Sequence, residues 1–346
     1  MSKINKNKKI LIIGGLGFIG ANAAYYFNKK HWPVTVLDNY SRQPGSYHNE
    51  KWLKRKMGMS FVRADIRLDQ KILLEEVEKV DVVIHLAAQV AVTSSVETPR
   101  DDFENNALGT LNVLEAIRLS KKKPILIFSS TNKVYGSFDD VKIVKATTGY
   151  KYLDYKLGID EGRSLDFHSP YGCSKGSADQ YVRDYARIYG LRTVVFRQSC
   201  IYGIRQFGSE DQGWVAWFVI SAVLGRPINI YGDGFQVRDL LYVDDLLKAY
   251  ELAIKKIKTA SGQIYNLGGG VGNCLCPNAL VDKLNELSKG CLINPTYEDW
   301  RPGDQRIFVS DTRKAYKELG WEPLITVDRG LKLLFNWVAK NKDLFC

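Results

Sequence analysis

The sequence lacks long apolar runs, and this absence restricts where the protein can work. None of its 346 residues lies in an uninterrupted apolar stretch of about 18 residues, the length that a membrane-spanning helix needs. The N-terminus also has no apolar signal segment. We therefore expect a cytoplasmic protein that has no membrane partner.

Cysteine is scarce and scattered. The spacing of the thiols suggests no disulfide framework, and the single Cys-x-Cys pattern has no second pair, as a zinc site would require. The cysteines are Cys173, Cys200, Cys274, Cys276, Cys291 and Cys346. The sequence thus predicts free thiols and no metal site.

Basic residues exceed acidic ones and give a formal net charge of +11. Much of the excess lies in short clusters, at 6–9 and 121–123, and no basic helix is interleaved with aromatic residues. This pattern predicts solvated faces and no nucleic-acid partner, although an anionic substrate could use part of the remaining charge.

The first half of the chain alternates short apolar runs with helical stretches, which is typical of a parallel sheet covered by helices on both faces. Strands are predicted at 10–13, 34–37, 60–64, 82–86, 125–128 and 193–196. Helices are predicted at 103–119, 173–189, 214–224, 277–287 and 327–340, and segment 139–167 is predicted as a long loop.

The predicted fold class is α/β, a Rossmann-type doubly wound parallel sheet with a smaller mixed α/β substrate-binding domain. We assign residues 1–200 and 236–270 to the Rossmann domain. Residues 201–235 and 271–346 are assigned to the smaller domain, because the rhythm of strands and helices changes there.

A glycine-rich turn follows the first predicted strand and opens a helix. It reads Gly14-Gly15-Leu16-Gly17-Phe18-Ile19-Gly20. Such glycines let the backbone approach a pyrophosphate, whose charge the helix N-terminus stabilises. The sequence therefore predicts a dinucleotide site at this turn.

Asp38 ends the second strand, where a carboxylate would accept hydrogen bonds from the adenosine ribose. A carboxylate there repels a 2′-phosphate, so the pattern favours NAD over NADP, although nearby Arg42 could accommodate that phosphate. Asp65 and Ile66 would border the adenine. The predicted NAD-binding set also includes Asn39, Ser41 and the turn Leu86-Ala87-Ala88-Gln89.

A tyrosine can act as the base in hydride transfer if adjacent positive charge lowers its pKa from about 10. A lysine four residues later would share its helix face. The Tyr-x-x-x-Lys pattern begins at Tyr25, Tyr26, Tyr47, Tyr152 and Tyr171. Only Tyr171 opens a predicted helix after the strand that ends in Ser129-Ser130-Thr131. Tyr171 with Lys175 is the predicted acid/base pair, and Tyr152 with Lys156 is the alternative.

Together these motifs resemble the extended short-chain dehydrogenase/reductase family of nucleotide-sugar enzymes. The resemblance covers residues 9–337. It rests on the glycine turn, Asp38, Asn106-x-x-Gly109-Thr110-x-Asn112, Ser129-Ser130-Thr131, Tyr171 with Lys175, and Arg238-Asp239. It implies that Thr131 bonds the reacting sugar oxygen. It also implies that Asn106 and Ser129 contact the cofactor together with Tyr171 and Lys175.

The nucleotide-diphosphate sugar that the resemblance implies needs arginines, whose planar guanidinium groups bind phosphate oxygens in pairs. Arg238 and Arg301 match the family's phosphate-binding positions, and Asp304 could hold the nucleotide ribose. The remaining predicted substrate-binding residues are Asn132, Gln198, Ser199, Arg205, Gln212 and Trp214, together with Thr131.

The residues after Thr131 bear on the type of reaction. A 4,6-dehydratase of this family commonly has an acidic pair there, whereas this chain has Asn132 and Lys133, so elimination of water is disfavoured. The segments 129–136, 165–176 and 211–214 are most similar to the family's 2-epimerases of CDP-linked sugars. That similarity implies oxidation and re-reduction at C2 with tightly held NAD.

Two other functions stay open at this point: a UDP-sugar 4-epimerase, and a non-catalytic NAD-binding regulator. The intact Thr131, Tyr171 and Lys175 favour an enzyme over the regulator.

An apolar stripe on the predicted helix at 173–189 suggests a contact surface between two copies of the chain. It comprises Ala178, Tyr181, Tyr185 and Ile188. With the helix at 103–119, this stripe could pair with a second copy, so we expect a homodimer or higher homo-oligomer. Burial against the chain's own sheet is the alternative.

Overall fold

The computed structural model describes residues 8–55, 58–288, 293–301 and 303–345. Its strands are β1 Ile10–Ile13, β2 Val34–Asp38, β3 Ser60–Arg63, β4 Val82–His85, β5 Ile125–Thr131, β6 Ile143–Ala146, β7 Gly149–Tyr152, β8 Thr193–Gln198, β9 Cys200–Tyr202, β10 Asn229–Tyr231, β11 Val237–Tyr242, β12 Gln263–Leu267, β13 Cys274–Leu275, β14 Thr296–Glu298 and β15 Ile307–Phe308.

The α-helices are α1 Phe18–Lys29, α2 Gly45–Lys54, α3 Gln70–Lys79, α4 Val92–Glu97, α5 Pro99–Phe103, α6 Gly109–Leu119, α7 Ser169–Tyr189, α8 Trp214–Leu224, α9 Val243–Lys255, α10 Ile257–Ala260, α11 Pro277–Ser288, α12 Arg313–Leu319 and α13 Val327–Lys340. No helix among the described residues is long and apolar enough to cross a membrane. The described cysteines are free thiols, and Cys291 and Cys346 lie outside the described residues.

Seven parallel strands form the central sheet in the described part of the chain, in the order β12-β8-β5-β4-β1-β2-β3. Ile10 pairs with Val34 on one side and with Val82 on the other. The chain order reverses between β1 and β4, which opens a crevice at the carboxyl ends of these strands. The predicted fold class is confirmed, and the six predicted strands all lie in this sheet.

Alternation along β1 explains the two helical layers. Its four side chains have no exposed surface; Ile10 and Ile12 point into one core cluster, whereas Leu11 and Ile13 point into another. The first cluster includes α1, α8 and α9, and the second includes α3, α6 and α7. Each buried side chain of this size contributes about 1.5–3 kcal/mol.

A smaller sheet surrounds β11, which lies between β13 and β15 and also pairs with β9. The strand pair β10–β14 lies apart from it. Within segment 236–270, β11 therefore belongs to the smaller sheet and β12 to the central sheet. The boundaries of the two domains stay a prediction.

Segment 139–167 contains an antiparallel hairpin, so the prediction of a continuous loop is wrong there. Strands β6 and β7 form it, and it is anchored on the smaller sheet. The Tyr150 amide donates to the Phe235 carbonyl at 3.0 Å, and the Tyr152 hydroxyl donates to the Ile307 carbonyl at 3.0 Å. These distant contacts stabilise strands that show little alternation in sequence.

The helix predicted at 103–119 begins earlier, at Pro99, and contains one π-helical turn at Glu104–Leu108 between α5 and α6. The wider turn places Asn105 at the crevice, whereas Asn106 faces α7. Such turns are frequent at functional sites.

Candidate active site

The glycine turn after β1 lies at the crevice between β1 and β4. Gly14 has a φ of +77°, and a Cβ there would lie 2.5 Å from the Ala87 backbone nitrogen. A Cβ on Gly20 would lie 2.2 Å from the Gly14 carbonyl oxygen. Close approach of the chain to itself therefore requires glycine at both positions.

Gly17 is not required by the protein's own packing. A Cβ on it would meet only the Gly14 carbonyl oxygen, at 3.4 Å. Gly17 directly precedes α1 and lines a cleft of about 570 Å³. The bare backbone at the N-terminus of α1 is thus a surface that a pyrophosphate can approach, so these residues fit a dinucleotide.

Most residues predicted to bind NAD line this cleft. They are Gly14, Gly17, Asp38, Asn39, Ser41, Arg42, Asp65, Ile66, Leu86, Ala87 and Ala88. Phe18, Ile19 and Gly20 form the first turn of α1.

Asp38 is buried at the end of β2 and also holds the glycine turn in place. Its Oδ2 accepts from the Leu16 amide at 2.9 Å, and its Oδ1 accepts from the Tyr40 amide at 2.8 Å. Burial raises the pKa of Asp38, and these bonds oppose that rise. A carboxylate has about four acceptor positions, so the group can still accept ribose hydroxyls.

Asp65 is fixed at the opposite side of the cleft. The Arg67 guanidinium bonds both carboxylate oxygens and lowers the pKa of Asp65 to about 2. The Asn39 amide also donates to Asp65, at 3.0 Å. An ionised Asp65 therefore positions Asn39 on the cleft wall.

Tyr171 and Thr131 meet where β5 ends and α7 begins. Ser169 has a φ of +64°, and Pro170 occupies the first turn of α7, so Tyr171 follows a sharp change of chain direction. Its phenol lies close enough to the Thr131 hydroxyl for that group to oppose the rise of its pKa. Lys175, one helical turn later, donates from Nζ to the Ser129 carbonyl at 2.7 Å.

Burial dominates the electrostatics of this pair. Tyr171 is 8% exposed and Lys175 is 4% exposed. Burial raises the pKa of Tyr171 to about 12 and lowers that of Lys175 to about 8. The expected lowering of the Tyr171 pKa is therefore not produced by the chain's own charges.

A second cleft, of about 1200 Å³, begins at Tyr171. Seven residues predicted to bind substrate line it: Thr131, Asn132, Ser199, Trp214, Arg238, Arg301 and Asp304. Among the described residues, no group of three or more His, Cys, Asp or Glu side chains is arranged to hold a metal ion.

Comparison with known proteins identifies the family. Residues 10–268 match the model of the NAD dependent epimerase/dehydratase family. The chain belongs to this family. NAD is accordingly its cofactor, and the acidic Asp38 in the first cleft agrees with that cofactor.

Individual members of the epimerase/dehydratase family match nearly the whole chain. The CDP-paratose 2-epimerase of Salmonella typhi is 41% identical over 96% of this chain and 99% of its own length. The UDP-glucose 4-epimerase of Thermotoga maritima, solved with UDP-glucose, has a TM-score of 0.81 and 32% identity over 96% of this chain and 99% of its own. That of Thermus thermophilus, solved with NAD, has a TM-score of 0.78 and 29% identity over 95% and 98%.

In this epimerase/dehydratase family member, one residue predicted to contact the cofactor lies behind the cleft, and the predicted contact of Ser129 stays a prediction. The Asn106 amide donates to Asp102 at 3.1 Å and Ser174 at 3.0 Å, and its oxygen accepts from the Gln89 amide at 2.9 Å. Asn106 is 1% exposed, so the prediction of a direct contact is wrong for it; Asn105 lines the cleft instead. Ser129 contributes its carbonyl oxygen to Lys175.

The structure also corrects two predicted substrate contacts. Gln198 is buried and donates to the Tyr250 hydroxyl at 2.6 Å, because alternation at the end of β8 turns it away from the cleft. Arg205, whose φ is +66°, lies 4.4 Å from the Trp52 ring centroid and 5.6 Å from that of Trp337.

The predicted substrate contact of Gln212 stays a prediction. The residue does not line the substrate cleft, and its carboxamide oxygen accepts from the Arg42 guanidinium. Arg42 also donates to the Ala88 carbonyl at 3.3 Å, so it links the cofactor cleft to the 205–214 segment.

Several further residues line the substrate cleft and were not predicted, among them Lys133, Glu210, Asn229 and Tyr231. Lys133 donates to the Gly303 carbonyl at 3.3 Å, and burial, followed by the charge of Arg238, lowers its pKa to about 8. Because Lys133 directly follows Thr131 and Asn132, which were both predicted to bind substrate, its place in the cleft could have been predicted from the sequence. The other three lie in segments that carry no motif.

Proposed function

We propose that this chain is an NAD-dependent epimerase that converts CDP-paratose to CDP-tyvelose by oxidation and re-reduction at C2. One observation carries the proposal. Tyr171 and Thr131 both line the substrate cleft at the carboxyl end of the sheet, where the cofactor cleft also lies, and Lys175 follows Tyr171 by one helical turn. The similarity to the Salmonella typhi CDP-paratose 2-epimerase supports the choice of sugar and carbon.

The chain's own residues move the proton in this scheme. The Thr131 hydroxyl holds the C2 oxygen, and Tyr171 takes the hydroxyl proton during oxidation and returns it during reduction. The Lys175 ammonium, held by the Ser129 carbonyl, favours the phenolate form of Tyr171. NAD, when bound, supplies the hydride acceptor and, in its oxidised form, a positively charged ring.

Inversion requires the ketosugar to turn before it is reduced, and the cleft must keep hold of the nucleotide meanwhile. Arg238 and Arg301 line the cleft, as does Lys133. These cations support a diphosphate anchor. Asp211, 3.2 Å from the Arg301 guanidinium, neutralises part of this charge.

Elimination of water is disfavoured by the two residues next to Thr131 in the chain. The Asn132 amide donates to Gln305 at 3.3 Å, and Lys133 comes directly after it. Neither position supplies a carboxylate to promote loss of a hydroxyl. This supports an epimerase over a dehydratase.

A UDP-sugar 4-epimerase is the second candidate, because the Thermotoga maritima UDP-glucose 4-epimerase matches the chain over 96% of its length. The NAD-loaded protein should be incubated separately with CDP-paratose and UDP-glucose, and the products separated. Conversion of CDP-paratose alone is expected; conversion of UDP-glucose alone would replace our proposal by the second candidate. C2-deuterated CDP-paratose should keep its full deuterium, since the hydride returns within one active site.

We also propose a homodimer through α6 and α7. Tyr181 is 45% and Ile188 is 66% exposed, and Leu119 of α6 is 60% exposed. Ala178 and Tyr185 pack against the chain's own core, so only half of the predicted stripe is available. A monomeric mass by light scattering would reject this assembly. The cytoplasmic location stays part of the proposal.

A further inference from the structure

The substrate cleft contains a carboxylate that the catalytic scheme does not use. Glu210 lines the cleft, and its Oε1 accepts from Asn229 Nδ2 at 2.8 Å and from the Tyr231 hydroxyl at 2.9 Å. Its Oε2 has no hydrogen-bond partner among the described residues. The neighbouring Arg301 guanidinium pairs with Asp211 instead, at 3.2 Å.

Glu210 belongs to a cluster that is separate from the reacting groups. The Arg301 guanidinium lies 3.6 Å from the Tyr231 ring centroid and donates to the Glu210 backbone carbonyl at 3.1 Å. Asn229 and Tyr231 share the short strand β10. Thr131, Tyr171 and this cluster line the same cleft of about 1200 Å³. We therefore infer that a nucleotide sugar whose sugar is held by Thr131 and Tyr171 extends along the cleft and brings its base to this cluster.

The Glu210 carboxylate can recognise only groups that donate hydrogen bonds. A carboxylate accepts hydrogen bonds and donates none, and two neutral donors already fix its orientation. The amino group of cytosine donates, and glutamate is an established acceptor for it in nucleic-acid recognition. Uracil has a carbonyl oxygen at the same ring position, which would face the carboxylate without a hydrogen.

We propose that Glu210 reads the nucleobase and selects a cytosine nucleotide over a uracil nucleotide. The proposal rests on the proposed function only in taking the substrate to be a nucleoside-diphosphate sugar. It assigns to Glu210 the choice of base, which is independent of the choice of reacting carbon.

The test is calorimetric titration of the full-length, NAD-loaded protein with CDP and with UDP. The wild type should bind CDP more tightly. Glu210→Gln should reduce the ratio of CDP to UDP affinity by roughly 10- to 100-fold, the size of one charged hydrogen bond, because an amide can serve either base. Glu286→Gln is the matched control, since Glu286 is exposed on α11 and outside the cleft, and it should keep the wild-type ratio.

Three results would overturn the proposal. The first is a wild type that binds CDP and UDP equally well, and the second is a Glu210→Gln variant that keeps the full preference for CDP. The third is a Glu210→Gln variant that binds both nucleotides more weakly by the same factor, as loss of a contact to the shared ribose would cause. None of them involves the sugar. Any of these results would therefore contradict base selection by Glu210 without bearing on epimerisation at C2. A protein that prefers CDP but does not convert CDP-paratose would contradict only the proposed reaction.

Discussion

Removing the Tyr171 hydroxyl should abolish most turnover while the protein stays folded and keeps NAD. Tyr171→Phe preserves the ring, which is 8% exposed, and removes a buried hydroxyl that lies near Thr131. The stability cost should be about 1 kcal/mol. Loss of a general acid/base typically lowers the rate by about 100- to 10,000-fold, so we expect kcat to fall about 1,000-fold, or roughly 4 kcal/mol in activation free energy.

The chain offers a matched control. Tyr152 begins another Tyr-x-x-x-Lys pattern, but its hydroxyl donates to the Ile307 carbonyl at 3.0 Å. Tyr152→Phe should therefore cost a similar amount of stability and leave kcat within about twofold. Epimerisation would be followed by separating CDP-tyvelose from CDP-paratose, and bound NAD by its release on denaturation. Wild-type turnover in Tyr171→Phe, or a large loss in Tyr152→Phe, would refute the assignment.

Four other predictions concern the cofactor cleft and the buried lysine. Gly17→Ala should leave thermal stability nearly unchanged but weaken NAD binding at least about tenfold, seen as a smaller rise in Tm on adding NAD, because its Cβ enters the cleft. Gly20→Ala should lower Tm without ligand, since its Cβ would lie 2.2 Å from a backbone oxygen. Burial lowers the pKa of Lys175 to about 8, so the folded state binds fewer protons than the unfolded state between pH 8 and about 10.5. The stability of the wild type relative to Lys175→Met should thus rise by about 2–3 kcal/mol from pH 7 to pH 10 in urea unfolding; a constant difference would contradict the shift. Arg67 lowers the pKa of Asp65 to about 2, so Asp65→Asn should cost about 1–2 kcal/mol at pH 7 and less as the pH falls from about 4 to 2.

The sequence was sufficient for the parts of the fold and site that depend on contiguous patterns. The strand, glycine turn and helix at 10–29 are adjacent in the chain, and so are the strand end at Thr131 and the two residues after it. Strand β12 was missed because Asn266 interrupts its apolar pattern. In the fold, that amide is buried and donates to the Ile159 carbonyl at 2.8 Å, a partner 107 residues away.

Contacts between distant segments also explain why some predicted substrate-binding residues were wrong and others were missed. Gln198 and Ser199 are neighbours in sequence, yet only Ser199 lines the cleft, because Gln198 ends β8 and is buried against Tyr250, whereas Ser199 lies in the break between β8 and β9. Glu210 and Tyr231 meet through a hydrogen bond between segments 21 residues apart. No local pattern predicts which residue of a loop will face a cavity that several segments build together.

The direction in which the pKa of Tyr171 shifts could not be predicted from the Tyr-x-x-x-Lys spacing either. A tyrosine and a lysine on one helix face suggest that the ammonium lowers the pKa of the phenol, but burial opposes ionisation of both groups. In the fold, burial carries the pKa of Tyr171 up to about 12 and that of Lys175 down to about 8. Because the lysine value still exceeds neutral pH, the ammonium keeps its charge beside the phenol, and the carboxylates of Asp179 and Asp102 help to retain it. The chain alone therefore holds Tyr171 as a protonated phenol, so its work as a base depends on positive charge beyond what these residues supply.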